Sequence, residues 1–137
     1  MEDPKMETYT ATCHCAHTRL TFTHAPLPTT RINRCNCSIC TKNGYLLAYP
    51  RVSDVTFLSG EDDLVAYTFG NRVKPHKFCG RCGTSMLIDF SGAEREVERG
   101  VVAINIRTVV GVEEILGQLE YRDVDGKNKL GPPYSVD

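Results

Sequence analysis

Phe78-Cys79-Gly80-Arg81-Cys82-Gly83 is the stretch on which the fold turns. Two cysteines on one tight turn supply two corners of a tetrahedral metal site, and the glycines let the backbone curl until its amides face the sulfurs. Such a pair leaves the metal unsaturated, so the other corners come from elsewhere in the chain. Working outward, the sequence offers Cys13-His14-Cys15 and Cys35-Asn36-Cys37-Ser38-Ile39-Cys40. Seven cysteines therefore read as four plus three, a closed structural zinc and a second zinc with three protein ligands and one open corner. The Cys13/Cys15 pair is the natural complement of Cys79/Cys82. In another partition Cys40 borrows a partner from the third cluster, or His76 completes the triplet.

The rest of the chain limits the alternatives. A length of 137 residues with 41% hydrophobic residues suits one domain with a real core. The net charge of -1, with no basic and aromatic face, argues against a nucleic-acid partner, and thiolates bound to zinc would make the chain more acidic still. The acidic start lacks the features of a secretory signal, and no segment reaches membrane-spanning length, so a cytoplasmic location is expected. In such a reducing compartment clustered cysteines are metal ligands or redox groups more often than disulfides. A redox Cys-x-x-Cys would open a helix in a βαβ setting, whereas strands flank Cys79/Cys82. The sequence leaves the oligomeric state open.

The expected fold is mainly β, with little helix. β-Formers at 9–12 and the alternation of Leu20 and Phe22 with threonines place the first cluster between two strands. Residues 55–58 and 64–69 read as a hairpin around Ser59-Gly60-Glu61-Asp62-Asp63. Asn43-Gly44 reads as a turn before a strand at 45–49, and further strands are expected at 73–78, 86–90 and 100–106. Residues 91–98 read as an exposed loop, and 112–119 has helical spacing weakened by Gly117. The expected organisation is a disordered lead-in over 1–8, a zinc-binding domain over 9–122 and a turn-rich tail over 123–137. His14, His17 and His24 read as solvated or satisfied histidines rather than ligands, and the Asp62-Asp63 pair reads as a solvated turn.

Three thiolates leave zinc electron-rich, better suited to hold an incoming sulfur than to acidify water. The substrate class is therefore a small thiol or thiol adduct, and the reaction the making or breaking of a carbon–sulfur bond. Lys42, Asn43, Tyr45, Lys74 and His76 are candidates for orienting it, chosen for polarity and closeness to the clusters.

The clusters and their flanks resemble the glutathione-dependent formaldehyde-activating enzyme family, which also includes centromere-protein-V-like proteins. The matching elements are Cys13-x-Cys15, Cys35-x-Cys37-Ser38-x-Cys40 with Lys42-x-Gly44, Ser59-Gly60 with Tyr67, and Phe78-Cys79-x-x-Cys82-Gly83. The resemblance implies a β-tent fold of small antiparallel sheets, a structural zinc on Cys13, Cys15, Cys79 and Cys82, and a reactive zinc on Cys35, Cys37 and Cys40. It further implies a carbon–sulfur lyase that joins glutathione to formaldehyde as S-hydroxymethylglutathione. A non-catalytic, zinc-stabilised binding module of the centromere type is the alternative. Ala16 departs from the pattern, standing where a glycine often follows the first pair.

Overall fold

A computed structural model describes residues 5–129. Among them are ten strands in two sheets and three short helices. The smaller sheet joins β1 (Glu7–Thr12), β2 (Arg19–His24) and β5 (Val55–Ser59) in that order, all antiparallel. Threonines alternate with Tyr9, Ala11, Leu20 and Phe22 along β1 and β2, so pairing Tyr9 with Phe22 and Ala11 with Leu20 puts one apolar face inward.

The larger sheet has seven strands. From one edge these are β10 (Glu120–Val124), β3 (Arg31–Cys35), β4 (Leu47–Ala48), β9 (Val102–Asn105), β8 (Ser85–Asp89), β7 (His76–Cys79) and β6 (Leu64–Tyr67). All pairs are antiparallel except β10 with β3. Its central strands are buried on both faces, which explains their near-continuous apolar sequence. Val102, Ile104, Met86 and Leu46 join Leu20, Phe22, Leu27 and Ile32 in the main core, whereas Ala103, Ile88 and Leu47 face the second cysteine cluster and Tyr45.

Several expectations change. Residues 55–58 and 64–69 do not form a hairpin: β5 pairs with β2, while β6 pairs with β7 in the other sheet. The segment between them is a crossover that passes against the first cysteine loop. Gly60, at φ +79°, lies so close to that loop that a Cβ would sit 2.5 Å from the His17 carbonyl oxygen. Ser59 Oγ donates to the same oxygen, and the His17 imidazole meets the Asp63 carboxylate at 2.6 Å, so His17 is a satisfied histidine and Asp63 is more than a solvated turn residue. Asn43-Gly44 is not a strand turn either. It ends α1 (Ser38–Asn43), with Gly44 as a left-handed cap at φ +63° whose N–H bonds to the Cys40 carbonyl.

Residues 112–119 form two 3-10 turns, Val112–Glu114 and Leu116–Gln118, rather than one helix. Residues 91–98 run into α2 (Glu96–Arg99). At the ends, β1 begins at Glu7, inside the expected lead-in. β10 and α3 (Gly126–Lys129) give the start of the expected tail regular structure, and residues 130–137 lie outside the described residues. No helix among the described residues is long and apolar enough to cross a membrane.

The crossover makes a stability prediction. Gly60→Ala should cost more than Gly111→Ala, since both glycines have φ +79° but only Gly60 is crowded by backbone. Left-handed strain alone accounts for about 1–2 kcal/mol at Gly111; thermal denaturation of the two variants should show the larger loss at Gly60.

Candidate metal centres and clefts

Two loops separated by 64 residues build the first centre. In the β1–β2 loop, the Cys13 N–H bonds to the Thr18 carbonyl and the Ala16 N–H to the Cys13 carbonyl, a turn that puts Ala16 at φ +65°. A glycine here would relieve that strain; the alanine holds it. In the β7–β8 loop, Cys79 and Thr84 close the turn through the Cys79 N–H, and Gly83 donates to the Cys79 carbonyl. Thr84 Oγ1 accepts from the His14 N–H, tying the loops together.

The sulfurs of Cys13, Cys15, Cys79 and Cys82 all lie within 4.8 Å of one another. Neighbouring sulfurs are 3.6 Å apart for Cys13 and Cys15 and 3.8 Å for Cys15 and Cys79, well beyond a covalent S–S bond. A tetrahedron with Zn–S bonds of 2.3 Å has edges of about 3.8 Å, so this donor set fits zinc. Backbone amides complete the cradle: Thr18 N–H donates to Cys13 Sγ at 3.2 Å and Arg81 N–H to Cys79 Sγ at 3.4 Å. Hydrogen bonds from the Thr84 hydroxyl and from backbone amides pull the Cys82 thiol down to about 5, favouring the thiolate that a metal needs.

The second centre is Cys35, Cys37 and Cys40, whose sulfurs also fall within 4.8 Å. Cys35 ends β3, Cys37 precedes α1, and Cys40 lies on its first turn, so one short strand–helix junction presents all three. Hydrogen bonding from the Cys40 thiol, helped by the Cys40 and Ile39 amides, draws Cys37 down to about 5, while the same contact and burial push Cys40 up. The trio thus shares its protons unevenly, and a dication would displace them. His76 does not join either sulfur set.

Two clefts border opposite sides of α1. Cys40 and Gly44, one turn apart, face a cleft of about 500 Å³ that also reaches Cys35, Arg34, Arg107 and Asp123. Ile39 and Asn43 face a smaller one of about 270 Å³, lined also by Tyr67, His76 and Ser85. Tyr45 lines both. Its hydroxyl lies 3.1 Å from His76 Nδ1, and the His76 ring stacks on Tyr45 and meets the Phe69 ring in a tilted contact. Burial and, secondarily, Lys74 hold His76 down to about 4, so it is neutral near pH 7. Burial also raises Tyr45.

Of the residues proposed to orient a substrate, the structure brings Asn43, Tyr45 and His76 together. Lys42 is exposed on α1 and lines neither cleft. Lys74 also lines neither; it pairs with Glu98 at 2.9 Å over the Phe90 ring. Sequence reasoning missed Arg107 and the Arg34–Asp123 pair. The only signal for Arg107 was a cation ending an otherwise buried apolar run, Val101–Ile106, with Asn105 inside it.

The family model described as glutathione-dependent formaldehyde-activating enzyme matches residues 8–116. A crystal structure of a Rhodobacter sphaeroides protein superposes with a TM-score of 0.68 at 27% identity, covering 82% of this chain and 99% of that one.

Two measurements follow from the geometry. Metal analysis of gently purified protein should find about two zinc ions per chain. Cys79→Ser should cost about 3 kcal/mol or more of stability, whereas Cys37→Ser, on a local three-ligand set, should cost about 1 kcal/mol; equal losses in thermal denaturation would contradict a closed and an open centre. Independently, the unfolded chain protonates His76 near 6.5 and the folded chain only near 4. Stability should therefore fall as pH drops from 6.5 toward 4, by roughly 2 kcal/mol after partial solvent screening, and a His76→Gln comparison across that window should isolate this part.

Proposed function

Since the chain belongs to the glutathione-dependent formaldehyde-activating enzyme family, we propose that it catalyses the reversible addition of a small thiol, such as glutathione, to formaldehyde as a carbon–sulfur lyase. The observation that carries this reading is a three-cysteine set whose Cys35 and Cys40 open onto a cleft of about 500 Å³. A closed set of four serves the fold; a set of three beside a cleft leaves room for a reactant. Cys35, Cys37 and Cys40 would hold the zinc, which would supply Lewis acidity that favours a sulfur reactant in its deprotonated form.

The reaction forms one C–S bond between the thiol sulfur and the aldehyde carbon, and the thiol proton ends on the carbonyl oxygen. The chain's own groups orient the two reactants. Tyr45 lines both clefts and its hydroxyl lies against His76; with the His76 Nδ1–H donating to the tyrosine oxygen, the hydroxyl's own proton is left to donate to the aldehyde oxygen. Because His76 stays neutral, this hydroxyl keeps the same partner across the neutral range. The tight core around Cys40, Leu47, Ile88 and Ala103 fixes the trio from behind and limits reactant access to the cleft sides. A reducing cytoplasm, which keeps both the cysteines and the substrate thiol reduced, is the fitting compartment.

The test follows S-hydroxymethylglutathione formation by exchange spectroscopy of glutathione and labelled formaldehyde. Zinc-loaded protein should accelerate the exchange, and Cys37→Ser should lower kcat/KM by about 100-fold or more while the protein stays folded. No acceleration by folded protein carrying two zinc ions would instead favour the zinc-stabilised binding module.

A further inference from the structure

We infer that the smaller cleft beside α1 is a subsite for a flat, uncharged group carried by the aldehyde, so that the chain takes aromatic aldehydes as well as formaldehyde. The inference rests on the thiol-addition reading and names the carbonyl substrate class of that site.

Three neighbouring strands and α1 build the subsite. On β7, His76 and Phe78 are two residues apart and so share one face of the sheet. Register places Tyr67 of β6 directly across from His76, and Ser85 of β8 directly across from Phe78. These four line a cleft of about 270 Å³, and Ile39 and Asn43, one helical turn apart on α1, close it from the other side. Its inner end is rigid, since Tyr45 and His76 are only 2% and 7% exposed and their rings stack. Tyr67, 46% exposed, is its solvent-facing wall.

The two clefts differ in kind. The larger is bordered by Arg34, Arg107, Asp123 and Asp125, whereas no Asp, Glu, Lys or Arg lines the smaller one. An ionic group placed there would lose water without gaining a counter-charge. A flat apolar group gains ring contacts with Tyr67 and Phe78 and leaves Asn43 and Ser85 for its polar end. Formaldehyde, a single carbon, leaves this space unused; a single aromatic ring fits it, since an apolar cavity of about 150 Å³ already holds benzene.

Tyr45 joins the two clefts, and its hydroxyl lies at the His76 end, on the smaller one. An aldehyde whose oxygen accepts from that hydroxyl therefore extends its substituent toward Tyr67 and Phe78. Cys40, packed in one cluster with Tyr45, lies on the side of the larger cleft, from which the thiol approaches. The step is the same addition: the S–H bond and the C=O π bond break, a C–S and an O–H bond form, and no oxidant or reductant is needed.

The test compares glutathione addition to formaldehyde and to para-fluorobenzaldehyde on zinc-loaded protein, by carbon and fluorine exchange spectroscopy. A binding measurement without thiol, fluorine line broadening of para-fluorobenzyl alcohol, accompanies it. Wild type should accelerate exchange of both aldehydes and broaden the alcohol signal. Tyr67→Ala should lower kcat/KM for the aromatic aldehyde relative to that for formaldehyde about three- to tenfold, and weaken alcohol binding by a similar factor. If that variant fails to fold, Ser85→Met, which narrows the cleft from β8, should move the same ratio in the same direction. Formaldehyde exchange without aromatic exchange, or a ratio unmoved in a folded variant, would overturn the inference and leave the reaction standing. Alcohol binding that weakens in Tyr67→Ala, with neither aldehyde exchanged, would keep the cleft as a site for flat uncharged ligands and sink the reaction.

Discussion

Gathering sulfur atoms from distant parts of the chain is the constraint on which the rest of this structure depends. Cys15 and Cys79 are 64 residues apart in sequence and 3.8 Å apart in space. Four thiolates at such separation repel one another, and burying Cys13 and Cys79 removes the water that would screen them. A dication held there would convert that repulsion into attraction and close a long loop at once. In a chain-entropy account the closure alone is worth roughly 4 kcal/mol. The two loops are prepared for it by hydrogen bonds that involve no metal, chiefly from His14 to Thr84 and from Thr18 to Cys13. The crossover around Gly60 then packs on the same loop, so the small sheet, the large sheet and the metal cradle meet at one place.

The second centre depends on the first through the large sheet. β7 leaves the four-cysteine cradle, passes His76 into the stack against Tyr45, and pairs with β8, which pairs with β9. The opposite face of those strands forms the floor beneath Cys40. Local conformation does the remainder: Cys37 can precede a helix start and Cys40 can turn inward because Gly44 ends α1 within six residues. The resulting helix is too short to be stable by itself, so its position is set by packing and by Arg107 at its last carbonyl.

What the sequence disclosed follows from this division. Candidate metal ligands stand out because a metal such as zinc would demand particular atoms at short spacing, and Cys13, Cys15, Cys79, Cys82 and Cys35, Cys37, Cys40 form two sets of sulfurs close in space. Strand content was legible from alternation in β1 and β2. Pairing was not: residues 55–58 and 64–69 have the local chemistry of a hairpin, and only contact with His17, more than 40 residues earlier, directs them into separate sheets. Arg31–Cys35 and Glu120–Val124, the strand next to the edge and the edge strand itself, escaped notice because their charged residues dilute the apolar period. Lys74 illustrates another limit, since proximity in sequence to a cluster says nothing about an ion pair with Glu98.

The parallel pairing of β10 with β3 explains how a segment beyond the family match takes part in the site. Residues 8–116 carry the seven cysteines and Arg107, yet the far wall of the larger cleft is Asp123, Val124 and Asp125. Val124 aligns with Cys35, its carbonyl accepts from the Asn36 N–H, and the Asn36 side chain bridges Asp125 to the Lys127 amide. The residue between two cysteines of the trio is therefore fixed by the C-terminal strand and α3 rather than by the matched core. Shared metal chemistry and a separately supplied wall can vary independently. Substitutions in 120–129 can reshape what the cleft admits while leaving the sulfur sets unchanged, whereas substitutions in the matched core alter both at once. In this chain Asp123 of that wall is paired with Arg34, whereas Asp125 accepts from the neutral Asn36 and Asn128 amides and keeps its charge, so the wall lends shape, polarity and one negative charge to the cleft that Arg107 also lines.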